Sequence, residues 1–351
     1  MIKHLNMIGS ISETGYGIAT TSILAELVRQ GVKVTLEPKG ESIAAKKGVI
    51  AECIENMKSF RYNAPSLLVW HQFDLKHFIG TGKHTAFPFF ELDTFDKNEI
   101  HNIKYPDQLF VSSEWAKEVV SQYRQNDVQV IPLGIDPSIF QPAPYKGNGS
   151  SYIFLNIGKW EIRKGHDVIP ELFNTAFTPE DNVEMWMIPA SKYFTEKENT
   201  FWTNKYMQTK MGQAGKIKIW PWQTQDNLVR MMNYADCGLF PARAEGWNLE
   251  LLEMICLGKP VITTDYSAHT EFCNSENALL VPKRKMEKAY DNKWFFGQGN
   301  WISIKNKEID LFVDYMRKCY KENIHTNPYG LETTRTKFTW ENTTKKILEL
   351  L

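Results

Sequence analysis

Two glutamates, Glu245 and Glu253, stand on either side of a predicted helix start in a segment that can bind phosphate and hydroxyl groups together. Asn248 can cap a helix there, and Gly258 would end it. A helix start that follows a strand offers unpaired N–H groups and a positive dipole end, where a diphosphate binds. Carboxylates repel phosphate but accept hydrogen bonds from hydroxyls. The segment therefore favours a ligand of nucleotide-sugar composition, the alternative being that both glutamates are solvated surface charges.

Two lysines, Lys159 and Lys164, follow a predicted strand over residues 152–156. This position is the carboxyl edge of a parallel sheet, where open α/β folds bind ligands. The lysines could place two cations on a leaving diphosphate, the role that Mg²⁺ has in other enzymes. The alternative is an exposed basic loop.

A third segment, residues 9–18, carries Gly15 and Gly17 after the first predicted strand. The two glycines permit a close approach of the backbone to a ligand. The spacing is not G-x-G-x-x-G, so it is weak evidence for dinucleotide binding.

Strand and helix patterns alternate along the chain and predict parallel sheets of an α/β protein. Residues 141–151 are rich in proline and glycine and predict a linker. We expect a first domain over residues 1–143, a second over 144–330, and a C-terminal helix within 331–351 that begins after Thr339. The predicted strands include 2–9, 32–36, 66–70, 85–90, 108–111, 128–131, 152–156, 183–188 and 261–264.

Composition excludes several classes of protein. The chain has 41 basic and 41 acidic residues, which is not the charge pattern of a protein that holds nucleic acid or anionic lipid through phosphates. No apolar run approaches the roughly 20 residues of a membrane span, and the N-terminus favours a strand over a signal peptide. The five cysteines form no metal or disulfide motif and predict buried free thiols. We expect a cytoplasmic protein.

Together these segments resemble the retaining glycosyltransferases of the GT-B fold, in the group that includes glycogen synthases and mannosyltransferases. The resemblance covers most of the chain and follows the family's order. It rests on residues 111–115, 131–140, 159–165, 235–246, the E-x7-E block with its continuation over 245–262, and 338–341.

The resemblance implies two Rossmann-like domains that face a deep cleft, with the C-terminal helix crossing back to the first domain. It implies that Glu245 contacts the donor sugar, Glu253 the nucleotide ribose, and Lys159 and Lys164 the diphosphate. Lys159 stands where arginine is commoner and cannot form a bidentate contact. Further donor-binding positions are Gly246, Trp247, Asn248, Leu249, Gly15 and Gly17.

The first domain departs from the family at one position. Many relatives carry a histidine near the reacting carbon, whereas residues 87–94 here contain Glu91 and Asp93. Glu91 is the favoured polar group because it follows the predicted strand 85–90, and His71, after strand 66–70, is the competing candidate. The alternatives are that Glu91 anchors its loop through a cation and that His71 is a neutral histidine at the edge of the core.

The implied activity is transfer of a hexosyl or pentosyl group with retention, from a UDP- or GDP-type donor and without a metal or other cofactor. The acceptor stays open between saccharide, lipid, protein and modified nucleobase. One rival is a nucleotide-sugar-binding pseudoenzyme. The other is a dinucleotide-dependent oxidoreductase, which the missing glycine fingerprint disfavours.

Overall fold

The structure, a computed structural model, describes residues 2–40, 47–144, 151–189 and 194–351. The chain divides into two compact units, one of residues 1–134 with 337–351 and one of residues 135–336. Residues 145–150 of the predicted linker lie outside the described residues, and the expected boundary between 143 and 144 directly precedes them.

The first unit contains six described strands and four described helices before its C-terminal segment. The strands are β1 (His4–Gly9), β2 (Lys33–Pro38), β3 (Ser66–Val69), β4 (His84–Ala86), β5 (Gln108–Val111) and β6 (Val128–Val130). The helices are α1 (Gly15–Arg29), α2 (Gly48–Glu55), α3 (Lys97–Lys104) and α4 (Glu114–Ser121), with a 3₁₀ turn over Asn56–Ser59. The strands form one parallel sheet in the order β2-β1-β3-β4-β5-β6.

The second unit repeats this architecture. Its described strands are β7 (Tyr152–Ile157), β8 (Val183–Ile188), β9 (Ile217–Ile219), β10 (Cys237–Phe240), β11 (Val261–Asp265), β12 (Leu279–Pro282), β13 (Met286–Tyr290) and β14 (Phe296–Ile302). Its helices are α5 (Ile169–Ala176), α6 (Glu196–Met207), α7 (Lys210–Gln213), α8 (Gln225–Tyr234), α9 (Leu249–Cys256), α10 (His269–Phe272), α11 (Lys307–Lys321) and most of α12 (Pro328–Lys337). A parallel sheet has the order β12-β11-β10-β7-β8-β9, and β13 and β14 form an antiparallel hairpin.

The burial of the central strands is typical of parallel sheets. Every residue of β3, β5, β7 and β10 is buried, as expected for parallel strands covered by helices on both faces. All five cysteines are buried free thiols, which confirms that prediction. The predicted α/β fold with two parallel sheets is therefore confirmed.

The last helix, α13 (Trp340–Leu350), belongs to the first unit. Thr339 caps it as predicted, because its hydroxyl accepts a hydrogen bond from the Asn342 amide. The helix lies against α1, where Gln30 donates a hydrogen bond of 2.6 Å to the Thr344 hydroxyl. This contact attaches α13 to the end of α1, within the first unit.

The predicted strand before Glu91 ends four residues early in the structure. We expected a strand over residues 85–90, but β4 ends at Ala86. Pro88 has no N–H to donate, and the Phe89 amide and carbonyl both bond the Tyr16 hydroxyl, at 2.9 and 2.5 Å. Glu91 therefore lies at the end of an irregular segment, and the argument that it marks the emergence of a strand was wrong.

Candidate donor site

Two loops of the second unit meet at the carboxyl edge of its sheet. The lysine loop (residues 158–165) follows β7, and the acidic loop (residues 241–248) follows β10. Because β7 and β10 are neighbours in the sheet, the loops lie side by side. Arg163 joins them by donating a hydrogen bond of 2.8 Å to the Ala244 carbonyl.

Glu245 is buried between two cations of the lysine loop. Its carboxylate lies 2.6 Å from the Arg163 guanidinium and 3.0 Å from the Lys164 ammonium. Burial raises the pKa of Glu245, but the charges of Arg163 and Lys164 outweigh it and lower the pKa to about 2. Burial lowers the pKa of Lys164, but the charges of Glu245 and Glu250 raise it above its usual value. Both groups are therefore charged at neutral pH.

The remaining charges extend this pair into a network. Glu161, also buried, lies 2.9 Å from Lys159 and 2.7 Å from Arg163. Lys159 is the more exposed of the two predicted lysines, and its ammonium lies 5.0 Å from the centre of the Trp294 ring. Lys159, Arg163 and Lys164 thus form a group of cations in which each has a carboxylate partner.

The acidic loop ends in a strained helix cap. Asn248 has φ of 84° and accepts a hydrogen bond from the Leu251 amide at the start of α9. A left-handed conformation is costly for residues with a side chain, although asparagine tolerates it best. The other N–H groups of the first turn have no acceptor within the helix. The predicted cap is therefore confirmed, and it leaves α9 able to present its amides to an anion.

His269 contacts the side chain of the capping residue, Asn248. Its Nε2 lies 3.0 Å from the Asn248 amide nitrogen, and its Nδ1 lies 3.2 Å from the Thr264 carbonyl oxygen. Burial lowers the pKa of His269 to about 4, so the ring is neutral. The two contacts are satisfied together when Nδ1 carries the proton and Nε2 accepts from Asn248.

Glu253 lies one turn into α9, and its surroundings differ from those of Glu245. The residue is 8% exposed, and its carboxylate makes no hydrogen bond or ion pair with the described residues. Burial, with a smaller contribution from the charge of Glu250, raises its pKa to about 8. A buried carboxyl without protein partners is costly, so it is available to a ligand with hydroxyl groups.

His166 fixes the end of the lysine loop. Its Nδ1 accepts from the Glu161 amide at 3.2 Å, and its Nε2 lies 2.8 Å from the Asn156 side-chain oxygen. Burial lowers its pKa to about 3, so this histidine is neutral and structural. It holds the loop against β7.

The first unit brings its predicted residues to the carboxyl ends of three neighbouring strands, β1, β3 and β4. The His71 ring lies 4.2 Å from the Tyr16 ring, measured between centroids. Burial raises the pKa of Tyr16, and the nearby charge of Glu91 raises it further. His71, Glu91 and Asp93 are all half-buried and have partners within the protein.

The two glycines of this edge differ in their surroundings. Both lie in the first turn of α1. A Cβ on Gly17 would lie 1.8 Å from the Ser12 carbonyl oxygen, whereas a Cβ on Gly15 would meet nothing within 4 Å. Gly17 is therefore required by the fold, and Gly15 leaves open space at the helix start.

Sequence reasoning missed several residues of the site. Arg163 lay between the two predicted lysines and was not proposed as a ligand or as a partner of Glu245. Glu161, His166, His269 and Tyr16 were also missed. Only Arg163 had a local signal, because it lies beside Lys164 in a basic loop after a strand. The contacts of the other four side chains are visible only in the folded structure.

Comparisons with known proteins relate part of the second unit to one family and the fold to several solved structures. Residues 151–293 match the family model described as Glycosyl transferases group 1. A search of curated protein sequences gives no match. The structure is similar to that of Anabaena HepE in complex with UDP and glucose, with a TM-score of 0.71, 12% identity, and coverage of 99% of this chain and 98% of that chain.

Two further solved structures are similar over almost their full length. Sucrose-phosphate synthase from Thermosynechococcus elongatus gives a TM-score of 0.72 at 13% identity, covering 99% of this chain and 98% of that one. A glycosyltransferase from Rickettsia africae gives 0.67 at 13% identity, covering 99% and 97%. The resemblance to GT-B glycosyltransferases is thus confirmed for the fold, and the family match covers residues 151–293, within the second unit.

Two further properties of the described residues concern membranes and metals. Within the described ranges, no helix is long and apolar enough to cross a membrane. No three His, Cys, Asp or Glu side chains of the described residues lie close enough together to hold a metal ion.

Proposed function

We propose that the chain transfers a hexosyl or pentosyl group from a nucleoside diphosphate sugar to an acceptor, with retention of anomeric configuration and without a metal ion. The observation that carries the proposal is that two carboxyl groups near one helix start have opposite protonation states. Glu245 is held ionised beside Arg163 and Lys164, and Glu253 is buried without a hydrogen-bond or ion-pair partner among the described residues. A ligand with a diphosphate and hydroxyl groups satisfies both.

The donor's diphosphate would lie against Lys159, Lys164 and the amides of residues 247–249. Arg163 adds a third cation behind them, at 2.6 Å from Glu245. The charge on a diphosphate grows as its bond to the sugar breaks, so cations fixed in advance stabilise the transition state more than the ground state. Neighbouring carboxylates hold these cations in place before the donor arrives.

Glu245 would accept hydrogen bonds from the donor sugar, and Glu253 from the ribose. Lys164 and Arg163 fix the Glu245 carboxylate, so it does not need to reorganise when the sugar binds. Glu253 has no such anchors. Its hydrogen bonds to the ribose would replace those it lacks in the free protein.

The reaction would need no protein nucleophile. The bond between the anomeric carbon and the diphosphate oxygen breaks, and a bond from the acceptor oxygen forms on the same face of the sugar. The acceptor proton passes to the departing phosphate oxygen. Glu91, with Asp93 and His71 as the other candidates, would accept hydrogen bonds from sugar or acceptor hydroxyls in the first unit.

UDP-glucose is the first donor to test, because the structural neighbour HepE is described in complexes with UDP and with UDP-glucose. The experiment incubates the full chain with a panel of UDP- and GDP-sugars in EDTA and measures release of the nucleoside diphosphate. The proposal expects slow release from at least one donor. Binding of a donor without release under any acceptor condition would favour the pseudoenzyme.

A further inference from the structure

A cavity of the second unit, with a volume of about 580 Å³, lies between α6 and the tip of the β13–β14 hairpin. Its floor contains the stacked rings of Trp160 and Trp202, whose centroids are 5.7 Å apart. Two aromatic side chains at its rim are largely in solvent: Phe201 is 64% exposed and Trp294 is 42% exposed. Neither Lys159 nor Lys164 lines this cavity, but residues 160–162 of the lysine loop do, and the Lys159 ammonium lies 5.0 Å from the centre of the Trp294 ring. The cavity therefore adjoins the proposed diphosphate contacts without including either lysine.

The charged groups of the cavity divide into two sets. The four acids that line it already have partners in the protein. Glu161 pairs with Lys159 and Arg163, Asp167 with Arg243, and Glu198 with Lys293, while Asp291 accepts hydrogen bonds from the amides of residues 293–295. By contrast, Lys197 and Lys205 have no ion-pair partner among the described residues. The charges left to a ligand are therefore positive.

We propose that this cavity binds an acidic saccharide. Sugar rings have apolar C–H faces that pack on aromatic rings such as Phe201 and Trp294, while their hydroxyls and acidic substituents reach polar groups at the rim. Carboxylate, sulfate or phosphate substituents would contact Lys197 and Lys205. The volume lies within the roughly 300–1,000 Å³ of small-molecule sites, whereas a single-stranded nucleic acid requires a groove that follows several nucleotides.

The inference goes beyond the proposed function because such binding requires no donor and no turnover. Isothermal titration of the full chain with trigalacturonate, sulfated maltotriose and neutral maltotriose tests it directly. We expect saturable binding of at least one acidic probe, at least about tenfold tighter than neutral maltotriose, which corresponds to about 1.4 kcal/mol. A thymidine tetranucleotide serves as the competing ligand class.

Two variants and two matched controls locate the site. Phe201→Ala and the double variant Lys197→Glu/Lys205→Glu should each weaken acidic-saccharide binding by about tenfold or more. Phe296→Ala removes a ring that is 63% exposed but does not line the cavity, and Lys288→Glu/Lys307→Glu makes the same charge change elsewhere on this unit. Both controls should bind within about twofold of the parent.

Any of four results would overturn the proposal: no binding of either acidic probe, equal binding of the neutral one, tighter binding of the tetranucleotide, or equal losses in variants and controls. UDP-glucose titrations of the same proteins separate this outcome from failure of the proposed function. Loss of saccharide binding with donor binding intact concerns the cavity alone.

Discussion

Glu245 and Glu253 belong to one short segment, yet their surroundings set opposite protonation states. Arg163 and Lys164 lower the pKa of Glu245 to about 2, whereas burial without a cation raises that of Glu253 to about 8. Glu245 therefore has a fixed place in the free protein. Glu253 lacks hydrogen-bond partners among the described residues, so the hydroxyl groups of a ligand can stabilise its carboxyl group.

Replacing Glu253 should weaken donor binding and leave the fold intact. Glu253→Ala removes a carboxyl that has no hydrogen bond to the described residues, so the loss falls on the ligand. We expect a cost on the order of 1–3 kcal/mol in calorimetric titrations with UDP- or GDP-sugars. Glu276→Ala, at an exposed turn, is the control. Equal donor affinity in Glu253→Ala and the parent would exclude the ribose contact.

The same residue should give stability a distinct pH dependence. Its folded pKa of about 8 lies above the ordinary 4.5, so its contribution to stability is complete below about pH 4.5 and is lost as the pH rises toward 8. Glu253→Gln removes this titration. The variant should therefore gain about 1 kcal/mol or more relative to the parent between about pH 5.5 and about pH 8.5, measured by urea unfolding. Parallel pH profiles for the two proteins would show that Glu253 is ionised in the folded state.

Lys159 should act on the transition state more than on donor binding. Lys159→Ala leaves Glu161 paired with Arg163, so the loop keeps its internal contacts. The turnover number should fall by more than the Michaelis constant rises, because the charge on the diphosphate grows as the bond breaks. Lys218→Ala, which breaks an ion pair with Glu184 on neighbouring strands, is the control. A rise in the Michaelis constant at unchanged turnover would assign Lys159 to ground-state binding.

At the scale of elements, two neighbouring strands and the loops after them assemble the candidate donor site. The lysine loop is anchored at both ends, by β7 and by His166, and it closes against the acidic loop. The alternation of strands and helices predicted that both loops follow strands of a parallel sheet, but not that these two strands are neighbours. The α9 cap was also predictable, since Asn248 precedes an apolar helix and Gly258 follows it.

Gly165 shows how tightly the lysine loop is packed. Its φ is 79°, and a Cβ there would lie 2.1 Å from the Pro241 carbonyl oxygen. Gly215 has a similar φ of 72° but open space around it, so it is a matched control. In urea unfolding, Gly165→Ala should cost at least about 2 kcal/mol more than Gly215→Ala, with loss of donor binding. Equal costs would mean that the loop moves freely away from Pro241.

At the scale of the whole molecule, the sequence predicted two parallel sheets and the segments that supply the donor site. It did not predict which charges pair, because Arg163 and Glu245 are 82 positions apart and meet only through the fold. It also placed Glu91 directly after a strand, since nothing local shows that the Tyr16 hydroxyl bonds the Phe89 backbone. Metal independence and retention stay predictions, and the sequence leaves the acceptor open.

Turnover of a nucleotide sugar in EDTA, followed by proton NMR of the freshly released sugar, tests the central claim most directly. Slow transfer to water should release UDP from UDP-glucose, or GDP from a GDP-sugar, and the first sugar formed should keep the donor's anomeric configuration. Lys164→Ala should slow this release, since its ammonium lies 3.0 Å from Glu245 in the cation group. Release of the opposite anomer, or a strict requirement for added Mg²⁺ or Mn²⁺, would contradict the account.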